Sequence, residues 1–188
     1  IGLLAGAVLG YSYLGSYQTG AFIAGAGSFP PQMLTLIAFG FLAAAAAKSA
    51  QVPFQTWLPD AMEAPTPISA LIHAATMVNA GVYLLARFYP AFEGVPGWKT
   101  SVMLVGLLSA LLASLMALFS KDLKRVLAYS TISQLGYMVY AIGIGAVFAS
   151  QFHLLSHSVF KALLFLGAGA VIHTLGTRAV SYTHLTLP

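Results

Sequence analysis

The chain has 188 residues, of which 59% are hydrophobic and 6% are charged, and its mean hydropathy is +0.87. A soluble domain carries about 25% charged residues, so this composition excludes a water-soluble fold and indicates an integral membrane protein. The net charge of +4 is small and dispersed, which excludes a nucleic-acid-binding protein. Cysteine is absent from the sequence, so disulfides, thiolate metal sites and cysteine nucleophiles are also excluded.

The apolar segments are long and do not alternate strictly, which favours transmembrane helices over an outer-membrane β-barrel. In chain order the pattern predicts six spans, most of them near the roughly 20 residues that a bilayer requires. Their expected bounds are 1–17, 32–47, 65–87, 98–119, 120–144 and 148–175, with a Gly/Ser/Pro-rich connection over 18–31. The predicted fold is all-α, a polytopic transmembrane helix bundle that forms one partial domain over residues 1–179.

Two prolines after the second span predict a broken helix. Pro53 removes a backbone donor, and Pro59 is expected to interrupt the chain a second time. Pro67, in contrast, suits the first turn of the third span. Within a membrane, irregular backbone is tolerated only where it is buried in protein or lines a polar cavity. The break therefore indicates such a cavity.

The positive residues between the spans predict the orientation. One side carries Lys121, Lys124, Arg125 and Arg178, and the other carries Arg87 and Lys99. Since cytoplasmic connections carry the excess of Lys and Arg, the first side is predicted to be cytoplasmic.

The two ends of the chain have an unusual character. The sequence starts inside an apolar run, without the charged region or cleavage site of a signal peptide. Residues 180–188 are polar and aperiodic and resemble translated adapter sequence. We expect a non-native tail there; the alternative is a native polar loop.

Several titratable side chains lie in or beside the apolar spans, where an ionised group costs from about 2.5 to more than 10 kcal/mol. They are Lys48, His73, Lys124, His153, His157 and Lys161. Because of this cost, such groups face the interior of a helix bundle or a wet cavity. The sequence therefore predicts a buried polar path.

The spacing in "HLLSHSVFKALLF" aligns three of these groups. Four residues turn an α-helix by about 400°, so His153, His157 and Lys161 share one broad face at steps of about 6 Å. Histidine titrates near neutrality, which favours a proton relay. The pattern also resembles paired metal ligands on a helix. The adjacent lysine and the lack of a carboxylate in this span disfavour a metal site.

The other candidates each have an ordinary structural interpretation beside the functional one. Lys48 either bonds the carbonyls that the break frees and exchanges a proton, or it snorkels to the membrane interface. His73 is either a relay residue or a core histidine bonded to a carbonyl. The residues alone suggest that Lys124 is a topology-setting charge. Asp60 and Glu63 are expected to cap or solvate the turn after the break.

Three long stretches resemble the antiporter-like membrane subunits of respiratory complex I. They are "KSAQVPFQTWLPDAMEAPTPISALIHAATMVNAGVYLLAR", "DLKRVLAYSTISQLGYM" and "FHLLSHSVFKALLFL". Their combination is most similar to the subunit L (chain 5) branch of NADH-quinone oxidoreductase, over about residues 1–177. The same superfamily includes subunits of multi-subunit Na⁺/H⁺ antiporters and of membrane-bound hydrogenases.

The resemblance implies a fragment of an antiporter-like inverted-repeat fold that moves protons as quinone is reduced elsewhere in the complex. The proton carriers that it implies are Lys48, His73, Lys124, His153, His157 and Lys161. A glutamate that pairs with Lys48 is expected upstream, and a second broken helix is expected downstream. Asn79 departs from the family, which often has a small hydroxyl residue or a lysine at this position.

The resemblance also implies a subunit of an enzyme that carries no redox centre or cofactor itself. Flavin, iron–sulfur clusters and quinone are expected in other subunits. The implied partners are other membrane-arm subunits, the lipid bilayer, protons and water, with no nucleic acid. The expected location is a bacterial-type inner membrane, crossed several times, rather than an organelle membrane. The open alternatives are an antiporter or hydrogenase subunit and a purely structural membrane-arm subunit.

Overall fold

The computed structural model describes residues 1–74 and 76–176, which form nine α-helices and no β-strand. The helices are α1 Gly2–Leu14, α2 Thr19–Gly25, α3 Pro31–Lys48, α4 Trp57–Asp60, α5 Thr66–Ala74, α6 Asn79–Phe92, α7 Trp98–Phe119, α8 Leu123–Gly143 and α9 Val147–Leu175. Single 3₁₀ turns follow α2 and α4. The predicted all-α fold is confirmed, whereas the expected tail at 180–188 and Arg178 lie outside the described residues.

Four segments of this described part are long and apolar enough to cross a membrane. They are α3, the segment Thr66–Phe92 that contains α5 and α6, α7, and α9. The other two predicted spans differ in character: α1 has 13 residues, and α8 has 21 residues but a more polar sequence. Much of α8 is buried against its neighbours, which explains how a polar helix is accommodated in a bundle.

The predicted break begins earlier than the prolines suggest. Helix α3 ends at Lys48, and Ala50 adopts the left-handed backbone conformation, with φ of 51°. Pro59, predicted to be a second interruption, instead lies within the one-turn helix α4. Its missing N–H costs nothing there, because the N–H groups of a first helical turn have no partner within the helix.

A second interruption separates α5 from α6, where the sequence pattern predicts one continuous helix. Residues 76–78 form a turn, and the Asn79 side chain spans the gap by donating to the Ala74 carbonyl at 2.6 Å. The two interruptions touch, because the Ser49 hydroxyl donates to the Val78 carbonyl at 2.6 Å. The bundle therefore brings irregular backbone from two spans together at one place.

Helices α7 and α8 approach each other most closely at three glycines, Gly106, Gly136 and Gly143. A Cβ atom at Gly136 would lie 2.7 Å from the Ala110 nitrogen and from the Gly106 oxygen, which is shorter than any normal contact. Small residues at helix interfaces allow this approach in membrane proteins. The pairing fixes α8 in place, and α9 packs along another side of it.

Candidate functional site

The site is a group of polar side chains between α5, α8 and α9. His73 comes from α5, and its ring stacks on Phe165 of α9 with the ring centroids 4.6 Å apart. Lys161 lies one turn before Phe165, so its side chain joins the same group. His73, His157 and Lys161 are each 0% exposed. Helices α5 and α9 thus carry three of the predicted residues into one buried region beside α8.

Lys161 is held by α8 through two acceptors. Its Nζ donates to the Leu127 carbonyl at 3.1 Å and to the Ser130 hydroxyl. Leu127 and Ser130 are three residues apart, so they lie on one face of α8. An ammonium carries three N–H groups and a neutral amine carries two. Two acceptors therefore leave one N–H group of the ammonium without a hydrogen bond to the described residues, whereas they satisfy both N–H groups of a neutral amine.

His73 and His157 differ from Lys161 because no side-chain or backbone atom of the described residues bonds their ring nitrogens. Leaving a buried polar group unbonded costs about 1–3 kcal/mol, so folded proteins seldom retain such groups without a reason. Four such nitrogens in one place are therefore unusual in a region built only for packing. They are suited to exchanging protons with small carriers such as water.

His153 lies at the edge of the group. It is half-buried, its Nε2 lies 2.7 Å from Oε1 of Gln134 on α8, and its ring centroid lies 6.3 Å from that of His157. A cleft of about 350 Å³ runs between α8 and α9 and is lined by Gln134, Tyr137, Ser150 and His153, among others. The predicted stripe therefore runs from two buried groups to one beside a cleft.

Lys124 is buried, although the residues alone favour a surface charge. It is 2% exposed, and its Nζ donates to the carbonyls of Ala64 at 2.7 Å and Met62 at 3.5 Å. Asp122 caps α8 by accepting from the Arg125 N–H at 3.1 Å, which fixes the start of the helix. Lys124 lies in the first turn of α8, one turn before Leu127, whose carbonyl accepts from Lys161.

Lys48 lies apart from this group. It occupies the last turn of α3 and is exposed. The carbonyls at the break accept from neutral donors: Ala47 from Trp57 Nε1 at 3.0 Å, and Ser49 from Gln51 Nε2 at 2.9 Å. The ammonium is therefore not required to satisfy these two carbonyls.

The acidic pair after the break lies on the surface. Asp60 and Glu63 are both exposed, and Asp60 forms no side-chain cap at the 3₁₀ turn that follows it. No three His, Asp or Glu side chains among residues 1–74 and 76–176 are grouped as a metal site would require.

Sequence reasoning missed the neutral residues that support the site. These are Ser49, Gln51, Asn79 as a bridge, Ser130 and Gln134. The available signal was a polar side chain inside an otherwise apolar helix, as in "STISQLGYM". Serine is enriched at the interfaces of membrane helices, and both serine and glutamine hydrogen-bond across such interfaces in general, so this signal does not single out the residues that matter.

Residues 1–185 match the family described as NADH:quinone oxidoreductase/Mrp antiporter, transmembrane. The chain belongs to this family. Its members include NAD(P)H-quinone oxidoreductase subunit 5 of chloroplasts. The Poa pratensis protein is 57% identical over 143 residues, which is 76% of this chain and 20% of the relative. The Anthoceros angustus protein is 61% identical over 129 residues, or 69% of this chain and 18% of the relative. The predicted resemblance to the subunit 5 branch is confirmed.

Two solved structures share the fold. One is the Mrp complex from Dietzia sp. DQ12-45-1b, with a TM-score of 0.90 and 44% identity over 96% of this chain and 20% of that chain. The other is the membrane-bound sulfane sulfur reductase, an archaeal respiratory membrane complex. It has a TM-score of 0.81 and 32% identity over 95% of this chain and 38% of that chain. The antiporter-like fold is therefore confirmed, and the chain spans about a fifth of the length of its curated relatives.

Proposed function

We propose that this chain is part of a proton-translocating membrane-arm subunit of NADH-quinone oxidoreductase. The observation that carries the proposal is the buried group of His73, His157 and Lys161 between three helices of an antiporter-family bundle. The chain binds other membrane-arm subunits and lipid. Flavin, iron–sulfur clusters and quinone belong to other subunits, where they supply the redox chemistry.

Ionisable groups within membrane-spanning helices carry an energetic cost. A buried lysine and two buried histidines with unbonded ring nitrogens reduce stability. In a membrane helix such groups are most often part of an ion or proton path. A structural role would be met more cheaply by apolar side chains of similar volume.

In the proposed relay the proton is held on Lys161 Nζ. The Leu127 carbonyl and the Ser130 hydroxyl stay hydrogen-bonded to two N–H groups of the ammonium. The third N–H bond of Lys161 breaks, and a new N–H bond forms on His157, through water across about 6 Å. The freed lysine amine retains both of its hydrogen bonds. His157 then passes the proton toward His153. The cycle is complete when the Lys161 amine takes up another proton and becomes an ammonium again.

His73 and Lys124 supply the entry to this relay. His73 stacks beside the Lys161 turn, and Lys124 lies on α8 one turn before Leu127, whose carbonyl accepts from Lys161. Lys48 is proposed to be a further carrier on the strength of the resemblance alone, because it is exposed in the described chain. Its charge would respond to the glutamate expected upstream.

The test is Lys161→Met in the intact complex, with the exposed Lys99→Met as the matched control. We expect protons pumped per NADH to fall at least twofold for Lys161→Met, with assembly retained, because Met keeps the volume but carries no proton. Lys99→Met should leave the ratio unchanged. The measurement is vesicle acidification against NADH oxidation. An unchanged ratio in Lys161→Met would rule out the relay.

A subunit of an Na⁺/H⁺ antiporter is the second candidate, and the close fit to the Mrp complex favours it. Such a complex works without NADH, so a pH change in vesicles driven by a sodium gradient alone would identify it. A purely structural subunit is the third candidate. It predicts normal pumping after Lys48 and Lys161 are neutralised together.

The apolar helices support a membrane location. The finer expectation of a bacterial-type inner membrane remains a prediction, because the curated relatives reported above are named as chloroplastic. An organelle membrane is the alternative.

A further inference from the structure

Two pairs of polar side chains, each with the same arrangement, connect α8 to α9. Ser130 of α8 accepts from Lys161 of α9, and one turn further along α8 the Gln134 amide oxygen contacts His153. Each pair joins one titratable group on α9 to one neutral side chain on α8. The first pair holds a proton carrier in place, and the second has the geometry to do the same.

The contact between Gln134 and His153 is short and specific. Oε1 of Gln134 lies 2.7 Å from Nε2 of His153, both residues are half-buried, and both line the cleft between the helices. An amide oxygen is an acceptor only, so Nε2 must carry the hydrogen. In the neutral ring, Nδ1 is then the nitrogen that carries the lone pair.

We propose that Gln134 is a positioning residue that fixes the ring orientation and tautomer of His153, so that Nδ1 is the atom where a proton arrives and leaves. This inference rests on the proposed function, because it assigns His153 a place in the relay. At metal sites, acceptors that bond the ring nitrogen facing away from the metal fix histidine tautomers in the same way. A neutral amide serves better than a carboxylate would, since it does not hold the proton on the ring by charge.

The chemistry of the step balances on the ring itself. An N–H bond of the protonated His157 ring breaks, and through intervening water an N–H bond forms at Nδ1 of His153. The His153 ring becomes an imidazolium and that of His157 becomes neutral, while Nε2–H of His153 stays bonded to Gln134. The same Nδ1–H bond then breaks, and the proton passes to the next carrier. Nothing is oxidised or reduced, and the ring returns to its starting tautomer without turning. Without the amide, the His153 ring is free to adopt either tautomer and orientation. In a fraction of the molecules, the nitrogen that faces the proton path would then not be Nδ1 with its lone pair.

The experiment uses the intact complex with Gln134→Met, which keeps the length of the side chain but removes the acceptor. We expect about a fivefold fall in the pumping rate, which corresponds to losing one hydrogen bond of ordinary strength. Gln134→Glu keeps the acceptor and should retain more pumping than Gln134→Met. Gln151→Met is the matched control, since Gln151 is a half-buried glutamine on α9 that lines a different cleft, and it should leave pumping unchanged.

A second arm repeats Gln134→Met in a His153→Ala background. If Gln134 acts through His153, the second substitution adds no further loss. An equal loss in both backgrounds would mean that Gln134 acts on the structure in another way, and the inference would be wrong. Gln134→Ala replaces Gln134→Met if the Met variant assembles poorly.

The outcomes also separate this inference from the proposed function. If His153→Ala lowers pumping and Gln134→Met does not, the inference fails and the relay stands. If His153→Ala leaves pumping normal, His153 is not a carrier, and the inference fails together with that part of the relay. If the single variant Lys161→Met leaves the ratio of protons pumped per NADH unchanged, the proposed function fails, whatever the Gln134 variants do.

Discussion

Lys161 shows how a buried lysine is made tolerable by its acceptors. A lysine in a membrane interior is unstable as a cation without partners and leaves acceptors unsatisfied if it is removed. The Leu127 carbonyl and the Ser130 hydroxyl number two, one fewer than the N–H groups of the ammonium. Two acceptors suit both protonation states. They satisfy both N–H groups of the neutral amine, and they leave unbonded only the one N–H group of the ammonium that would be transferred in the proposed relay.

Ser130→Ala removes one of the two acceptors and tests this arrangement. We expect pumping to slow about fivefold, since hydrogen bonds to charged groups contribute about 1.5–3 kcal/mol and part of this is lost. Ser114→Ala is the matched control, because the Ser114 hydroxyl bonds its own helix at Leu111, 2.8 Å away. The measurement is the proton-to-electron ratio at equal assembly. Equal ratios in the two variants would contradict a role for Ser130.

At the scale of the helices, the sequence predicted some elements closely and others poorly. Helix α7 has the predicted bounds and α9 is within one residue of them, because long apolar periodicity has no competing explanation. The turn between α5 and α6 was missed, because its stabilising bond comes from the Asn79 side chain rather than from a proline or glycine. Local pattern does not report a bond of that kind.

The close pairing of α7 and α8 carries its own prediction. Gly106→Val should prevent assembly, because its added atoms meet the backbone of α8 at Gly136 and Tyr140, where no flexible side chain can move aside. Gly94→Ala is the control, since a Cβ at that exposed position meets nothing within 4 Å. The measurement is the yield of intact complex on a native gel. A normal yield of Gly106→Val would show that α7 and α8 can move apart enough to admit the added atoms.

The site residues were predictable by type but not by their surroundings. His157 and Lys161 were expected to be buried from their positions in an apolar helix, and they are. The residues alone favour a topology-setting charge for Lys124, and only the resemblance places it among the proton carriers. Its burial is not visible locally, because its acceptors at Met62 and Ala64 lie about 60 residues away in sequence. Lys48 was placed beside the break correctly, but which donors satisfy the break is decided by Trp57 and Gln51 through tertiary packing.

At the scale of the whole molecule, the chain is one part of a longer family fold. Large apolar side chains along α7 and α9 are exposed, which suits contact with lipid or with further helices. Lys48 is exposed on the same fragment. A relay residue must be shielded from bulk lipid and water, so the proposed function requires the remaining parts of the complex to cover it.

This requirement is measurable by amine labelling. With a water-soluble acylating reagent, we expect Lys48 to react at least tenfold more slowly in the intact complex than in the isolated 188-residue chain in detergent. Lys99 is the internal control, because it is exposed at the start of α7. Mass spectrometry of the two labelled sites gives the ratio. Equal reactivity of Lys48 in both preparations would place it on an outer surface, away from any proton path.

The bond between Ser49 and Val78 has a mechanical consequence. It ties the end of α3 to the turn before α6 at 2.6 Å, and Gly81 brings the backbone of α6 so close that even a methyl group there would strike the Ser49 hydroxyl. Two segments that are irregular by themselves are therefore locked to each other. A displacement of the Lys48 end of α3 either breaks this bond or moves the start of α6 with it. The positions of these two helices are therefore mechanically coupled.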